Sequence, residues 1–396
     1  MTEATQSKFD QYRQLVPLLS QPGVTYLNSA FAPPANNVIR QAIDKYLDEA
    51  LHAATPKPGW QARAEEARGL VGQYINASPS SIAFTRDTTE GLGYFAQSLP
   101  LAPGDNVVIL DTEHPNHAYT WLSLRSSAGI EVRQVPTDAT CFASASTFAP
   151  FVDGRTRAIG LSSIMFHSGQ RNDVAGISAA FRPRGVHVLV DCTQHAGFAP
   201  LDVRALGVSA ASFSLHKGLN CPVGLACLYV EPGALRALKT PPPIVGYGAV
   251  ANVRADLVAP SDEVVYHGTA RRFEHLNLSY IAAAAAQASL SFYLDTMGPE
   301  AVEEHLYALG DVLREGCNGL GIGIVGPTER QRHSPHLYVL QLLDPAWKPY
   351  LLEHGIYVQH YRLGIRVSFS FYNNVGDVQR LMDVLKMGME SSIPAL

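Results

Sequence analysis

The sequence has no apolar run long enough to cross a bilayer, no basic stretch interleaved with aromatics, and no CxxC pair. Crossing a membrane as a helix takes about 20 consecutive apolar residues, so no span is expected. Without a Lys/Arg patch there is no electrostatic footprint for nucleic acid, and a net charge of −5 does not favour an anionic membrane. The five cysteines, Cys141, Cys192, Cys221, Cys227 and Cys317, are odd in number and scattered. They support neither a disulfide framework nor a zinc ribbon and read as buried thiols. The opening stretch, MTEATQSKFDQYRQLVPLL, has early acidic residues and no apolar core of signal-peptide length, so a cytoplasmic protein is expected. Internal repeats are also missing; the alanine run in YIAAAAAQASL is good helix propensity.

What remains is 396 residues, 46% of them hydrophobic and only 16% charged, enough for a large core and two domains. The most informative stretch is VHVLVDCTQHAGFAPLDVRALGVSAASFSLHK, residues 186–217. VHVLV is a β-branched run without polar alternation, as in a strand covered on both faces, and it ends at Asp191. A turn and a short helical segment lead to ASFSLHK, which runs from small apolar residues into Ser214, His216 and Lys217. In open α/β sheets ligands collect at the carboxyl ends of strands, so Asp191 and Lys217 are expected to share one site. A desolvated lysine can form a Schiff base and a buried carboxylate can keep a pyridine nitrogen protonated. Together they suggest pyridoxal phosphate (PLP).

Residues 1–24 read as a helical lead-in, residues 25–270 as a large cofactor-binding domain, and residues 271–396 as a small C-terminal α/β domain. The short strand in GVTYLNSAFAPP ends at Asn28, Ser29 and Ala30, whose ordinary use is turn chemistry. In SSIAFTRDTTEGLGYFAQSL a strand gives way to a helix at Asp87-Thr88-Thr89-Glu90. These side chains can cap the helix, and the same helix start favours a phosphate if a cofactor brings one. After DNVVILD come Glu113, His114, Asn116 and His117. Pro115 interrupts that HxxH pair and no third ligand is evident, so a flat imidazole stacked on a cofactor ring fits better than a metal. RTRAIGLSSIMFHSG gives another strand, with a polar end at His167-Ser168-Gly169. Strands alternating with helices to about residue 235 imply a mostly parallel, helix-covered sheet. A long helix is expected to begin at RRFEHLNLSY, and HLYVLQLL and IRVSFSFY read as strands of the small domain.

With TRDTTEG, EHPNH, VDCTQ, SLHK, RRFE and IRVS in this order, the sequence resembles the class V aminotransferase family of fold-type I PLP enzymes. That family includes cysteine desulfurases, isopenicillin N epimerases and kynureninase-like lyases. The resemblance implies a homodimer with a shared active site. It makes Lys217 the Schiff-base lysine and proton shuttle and Asp191 the partner of the pyridine nitrogen. It assigns Gln194 to the ring hydroxyl, His114 to stacking on the ring, and Thr88, Thr89, Ser214 and His216 to the phosphate. Arg366 would receive the substrate carboxylate, and Asn28, Ala30 and Tyr361 would line the same pocket.

Two departures stand out. Family members often carry Gly-Thr after Phe-Glu, donated across the dimer to the neighbour's phosphate; here His275-Leu276-Asn277 follows, leaving Asn277 as a substitute donor. The desulfurase cysteine should lie shortly before the carboxylate arginine, but YVQHYRLGIRVS holds none. His360, Tyr361 and Arg362 fill that segment, as substrate contacts or as an ordinary strand connection. The expected function is therefore PLP-dependent chemistry at the α-carbon of an amino acid, through a quinonoid, with lyase or epimerase outcome. An aminotransferase, a desulfurase or C–S lyase, and a non-catalytic binding protein are the alternatives.

Overall fold

The computed structural model describes residues 7–138, 141–238, 241–254 and 262–391. Its strands are β1 (Thr25–Tyr26), β2 (Ile82–Thr85), β3 (Asn106–Leu110), β4 (Glu131–Val135), β5 (Thr156–Ser162) and β6 (His187–Asp191). They continue with β7 (Ala210–Ser214), β8 (Ala226–Val230), β9 (Leu337–Leu340), β10 (Ile356–Tyr357), β11 (Gln359–Tyr361) and β12 (Gly364–Ser368). Seven of them form one sheet in the order β2-β8-β7-β6-β5-β3-β4. Only β8 runs antiparallel to its neighbours, so the sheet is mostly parallel, as the alternation of strands and helices requires.

Successive residues of these strands feed two separate cores, which is why they read as unbroken apolar runs. Val188 and Val190 face one core while Leu189 faces the other. The first core takes Ala64, Ala67 and Val71 from the helix Lys57–Tyr74 and the alanines of the helix Tyr280–Ser291. The second takes Leu92 and Phe95 from the helix Thr88–Ser98, with Trp121 and Leu124 from Pro115–Ala128.

A smaller antiparallel sheet, β11-β12-β9, carries the helices Pro299–Gly319 and Val375–Glu390. Strand β1 pairs in parallel with β10 at Thr25–Ile356 and Tyr26–Tyr357. Residues 25–26, grouped from sequence with the large domain, therefore sit beside the C-terminal segment.

Two helical expectations change. The lead-in is not one helix: it holds single turns at Asp10–Arg13 and Pro17–Ser20, because Pro17 forces Val16 into an extended conformation. Residues 1–6 lie outside the described chain. The helix expected from residue 271 begins only at Tyr280. Glu274 is drawn inward instead, where it pairs with Arg68 and accepts from the Phe84 N–H at 2.6 Å. Two buried partners outweigh local helix propensity, leaving a short 3-10 turn at Ala270–Phe273.

Strand order reverses where β3 and β5 lie side by side, since β4 continues on one flank and β6 and β7 on the other. A parallel sheet opens a crevice at the carboxyl ends of its strands beside such a point.

Candidate active site

That crevice is a cavity of about 350 Å³. Asp191 closes β6, and Lys217 follows β7 on the turn after Ser214. Of the residues proposed from sequence, Lys217, Asp191, His114, Thr88, Thr89, Gln194, Ser214, His216, Ala30, Tyr361 and Arg366 all line it. Side chains far apart in sequence meet because most of them sit at or shortly beyond a strand end, while Arg366 projects from within β12.

Two residues fall elsewhere. Asn28 is buried behind the lining, bridged to Ser368, with its side-chain Oδ1 unpartnered. Asn277 is exposed, accepts from Lys57 Nζ at 2.9 Å, and lines a separate pocket with Arg86 and Glu90. A phosphate contact from Asn277 within its own chain is excluded by that placement.

The Lys217 amine is held down to about 8, chiefly by burial; Asp191 opposes the shift and Arg366 adds to it. A readily deprotonated amine is what nucleophilic attack on a carbonyl needs. The Thr193 N–H donates to Asp191 Oδ1 at 2.8 Å and fixes that carboxylate. Where the helix Thr88–Ser98 begins, Thr88 Oγ1 lies 2.6 Å from Ser214 Oγ and 2.7 Å from Thr193 Oγ1. These hydroxyls gather beside the positive end of the helix dipole, a setting suited to a phosphate.

His114 caps the next helix, its Nδ1 accepting from the Asn116 N–H at 3.2 Å, and packs edge-to-face with Phe166 at 4.8 Å. Burial holds its pKa below the usual imidazole range. The other half of the HxxH pair, His117, is fully enclosed over Gly160 beside Trp121, with neither ring nitrogen partnered. Burial pushes His117 down to about 4. Among the described residues no group of three or more His, Cys, Asp or Glu assembles as a metal set.

Arg366 donates from Nη1 to the Phe166 carbonyl at 2.8 Å and stacks over Tyr361 at 4.7 Å. Among the described residues its Nε and Nη2 are buried without an acceptor and no carboxylate pairs with it; burial lowers it to about 10. Unpaired buried donors of this kind call for an anionic ligand.

Sequence reasoning missed Phe31, Asp87, Asn116, Ser162, Ile164, Phe166 and Thr193 as lining residues. Ser162 ends β5, Ile164 forms an isolated bridge and Phe166 begins the turn that follows, so every second residue from 162 to 166 lines the cavity just before the polar end that was singled out. Glu113, beside His114, was also underrated. Its carboxyl accepts from the Ser162 and His114 N–H groups, each at 2.7 Å, and from the Ser162 hydroxyl, and burial raises it to about 7.

The residues present fit PLP: a buried amine, a fixed carboxylate, a hydroxyl cluster at a helix start, a flat imidazole and an unpaired guanidinium share one cavity. All five cysteines are buried and none lines it.

The chain is similar to known proteins in sequence and in fold. An uncharacterized aminotransferase of Schizosaccharomyces pombe is 47% identical over 390 residues, covering 98% of each chain. A probable cysteine desulfurase of Methanothermobacter thermautotrophicus is 30% identical over 302 residues, covering 75% of this chain and 72% of its own. Among solved structures, the apo cysteine desulfurase of Thermococcus onnurineus superposes with a TM-score of 0.84 at 20% identity, covering 96% of this chain and 98% of its own. The cystine C–S lyase C-DES, solved with its reaction product cysteine persulfide, reaches 0.83 at 24% identity, covering 93% and 98%. The family model described as Aminotransferase class-V matches residues 24–381, and the chain belongs to that family.

Proposed function

We propose that the protein is a PLP-dependent lyase acting at the α-carbon of an α-amino carboxylate. The observation that carries this reading is the pairing, in one cavity without a cysteine, of the Lys217 amine with the unpaired Nε and Nη2 donors of Arg366. When bound, PLP supplies an electron sink conjugated to the substrate α-carbon.

The chain's own residues do the rest. Asp191 would hold a proton on the pyridine nitrogen, Gln194 would donate to the ring hydroxyl, and His114 would stack on the ring. Thr88, Thr89, Ser214 and His216 would hold the phosphate, and Asn277 would serve the phosphate of a second copy of the chain. Lys217 would hold the cofactor carbonyl, and its amine would take the proton from the substrate α-carbon. Arg366 grips the carboxylate through its two free N–H groups, and Tyr361 and Phe166 shield that contact from water. In a substrate with a β-leaving group, the electron pair left at the α-carbon would form the Cα–Cβ double bond as that group leaves with its own pair, and water would then release ammonia and the keto acid. Desulfurase chemistry through a persulfide on this chain lacks a thiol: Cys192, next to Asp191, is raised to about 12 by burial and lines no part of the cavity.

The test is the visible spectrum of the purified protein with PLP, followed as L- and D-amino acids are added. Release of ammonia and a keto acid without an added amino acceptor is the expected result. Turnover that requires a stoichiometric keto acid marks an aminotransferase instead, and inversion at the α-carbon an epimerase. Lys217→Ala should lower turnover on the order of 10⁴-fold; unchanged turnover overturns the mechanism.

A further inference from the structure

Behind the cavity, the segment leading into β9 places His336 against Gln194. Both side chains are buried, with 0% and 4% exposure. The imidazole lies flat on Phe198, centroids 3.6 Å apart and planes 5° from parallel, and its Nε2 is 3.3 Å from Gln194 Oε1. Gln194 Nε2 donates to the Ala30 carbonyl at 3.0 Å.

Hydrogen-bond logic fixes the protons here. The Ala30 carbonyl can only accept, so the amide must turn its NH₂ end towards it and its oxygen towards His336. His336 must then donate from Nε2, which makes it the neutral Nε2–H tautomer and leaves Nδ1, which has no partner, as a bare lone pair. Burial, reinforced by Arg366 and Lys217, keeps the ring's pKa well below the usual range, in accord with a neutral imidazole. The second Nε2 hydrogen of Gln194 has no acceptor among the described residues, and Gln194 lines the cavity. Held at both ends, the amide has one plane and one free N–H.

We infer that His336 is a positioning residue that locks the Gln194 amide so that its free N–H is presented to the ring hydroxyl of PLP. The inference rests on the proposed PLP function. It also links three sheets: Gln194 follows β6, Ala30 follows β1, and the His336 carbonyl accepts from Phe369 N–H, just past β12, at 2.8 Å.

Two substitutions separate positioning from packing. His336→Phe keeps a ring against Phe198 but removes the donor; His336→Gln loses the stack but keeps an N–H at similar reach. PLP titrated into apo protein, followed by absorbance, should bind His336→Phe about tenfold more weakly than wild type and His336→Gln within about threefold. The pH at which the bound cofactor's visible band changes should move in His336→Phe alone. In a Gln194→Leu background His336→Phe should add no further loss. Equal binding by wild type and His336→Phe, equal damage from both substitutions, or a loss that persists without Gln194 overturns the inference. Should His336→Phe fail to fold, the ¹⁵N signals of the wild-type ring decide: Nε2–H supports the inference and Nδ1–H overturns it. A wild-type protein that takes up no PLP overturns the proposed function and this inference together. Uptake with unaltered variants overturns this inference only.

Discussion

Within one cavity, the hydroxyls of Thr88, Thr193 and Ser214 satisfy one another at 2.6–2.7 Å, whereas Arg366 keeps Nε and Nη2 buried with no acceptor among the described residues. The first region is complete without a ligand: it is set by a strand end, a helix start and their mutual hydrogen bonds. The second is incomplete, with a buried guanidinium held, among the described residues, by the Phe166 carbonyl and the face of Tyr361. Satisfied polar groups contribute to the stability of the empty protein, while an unpaired buried charge works against it. On the proposed function, the hydroxyl side is a preformed cradle and the Arg366 side is a site where substrate supplies the missing half of an ion pair.

The largest effect that separates the two belongs to Arg366→Met. Losing a charge-assisted, two-pronged contact should lower kcat/KM on the order of 10³-fold. The melting temperature of the substrate-free protein should nevertheless stay level or rise, because an uncompensated buried charge has gone. A clear drop in melting temperature would mean that the guanidinium is structural and would erase the contrast. Thr88→Val should behave the other way. It removes a partner from both Thr193 and Ser214, so stability falls by about 1–2 kcal/mol and PLP affinity by about tenfold. Thermal melting with and without PLP reads both numbers; an effect on PLP affinity alone would show that the hydroxyl cluster is held by something else.

The same contrast explains what could be read from the sequence. Asp191 was legible because it ends an unbroken apolar run, and Lys217 because it follows a run of small apolar residues that reads as the neighbouring strand. Arg366 carries no such local mark. Its neighbours IRVS read only as a strand, and its role came from resemblance, since an unpaired guanidinium is a property of the three-dimensional surroundings. Ser162, Ile164 and Phe166 were hidden by a choice of register: the polar residues His167-Ser168-Gly169 drew the eye past an alternation two residues earlier. Asn277, expected to act across a dimer, is exposed because Glu274 holds the preceding segment against Arg68 and leaves the following residues on the surface. The helix start at Tyr280 was missed for the same reason: a tertiary ion pair overruled a good local propensity.

Glu113 offers the finest test, because it is both fully hydrogen-bonded and costly when ionised. Its carboxyl takes two N–H donors and the Ser162 hydroxyl, yet burial still raises it from an ordinary 4.5 to about 7, with Asp191 adding repulsion. A folded-state pKa above the unfolded one means that the native state holds the extra proton between those two values. Stability from this group is therefore fully present below about 4.5 and is lost as pH rises through about 7. The span corresponds to about 3 kcal/mol at most. Buried His117, lowered to about 4, acts with the opposite sign, since charging it at acid pH destabilises the fold, and so do other buried histidines such as His167, His216 and His305, so the raw profile of the wild type does not isolate Glu113. Glu113→Gln removes one term and leaves the other. The difference in melting temperature between Glu113→Gln and wild type should climb by several degrees from about pH 4.5 to 7 and then level off. A difference independent of pH would mean that the three donors hold Glu113 ionised throughout, and that hydrogen bonding outweighs burial on this side of the cavity as well.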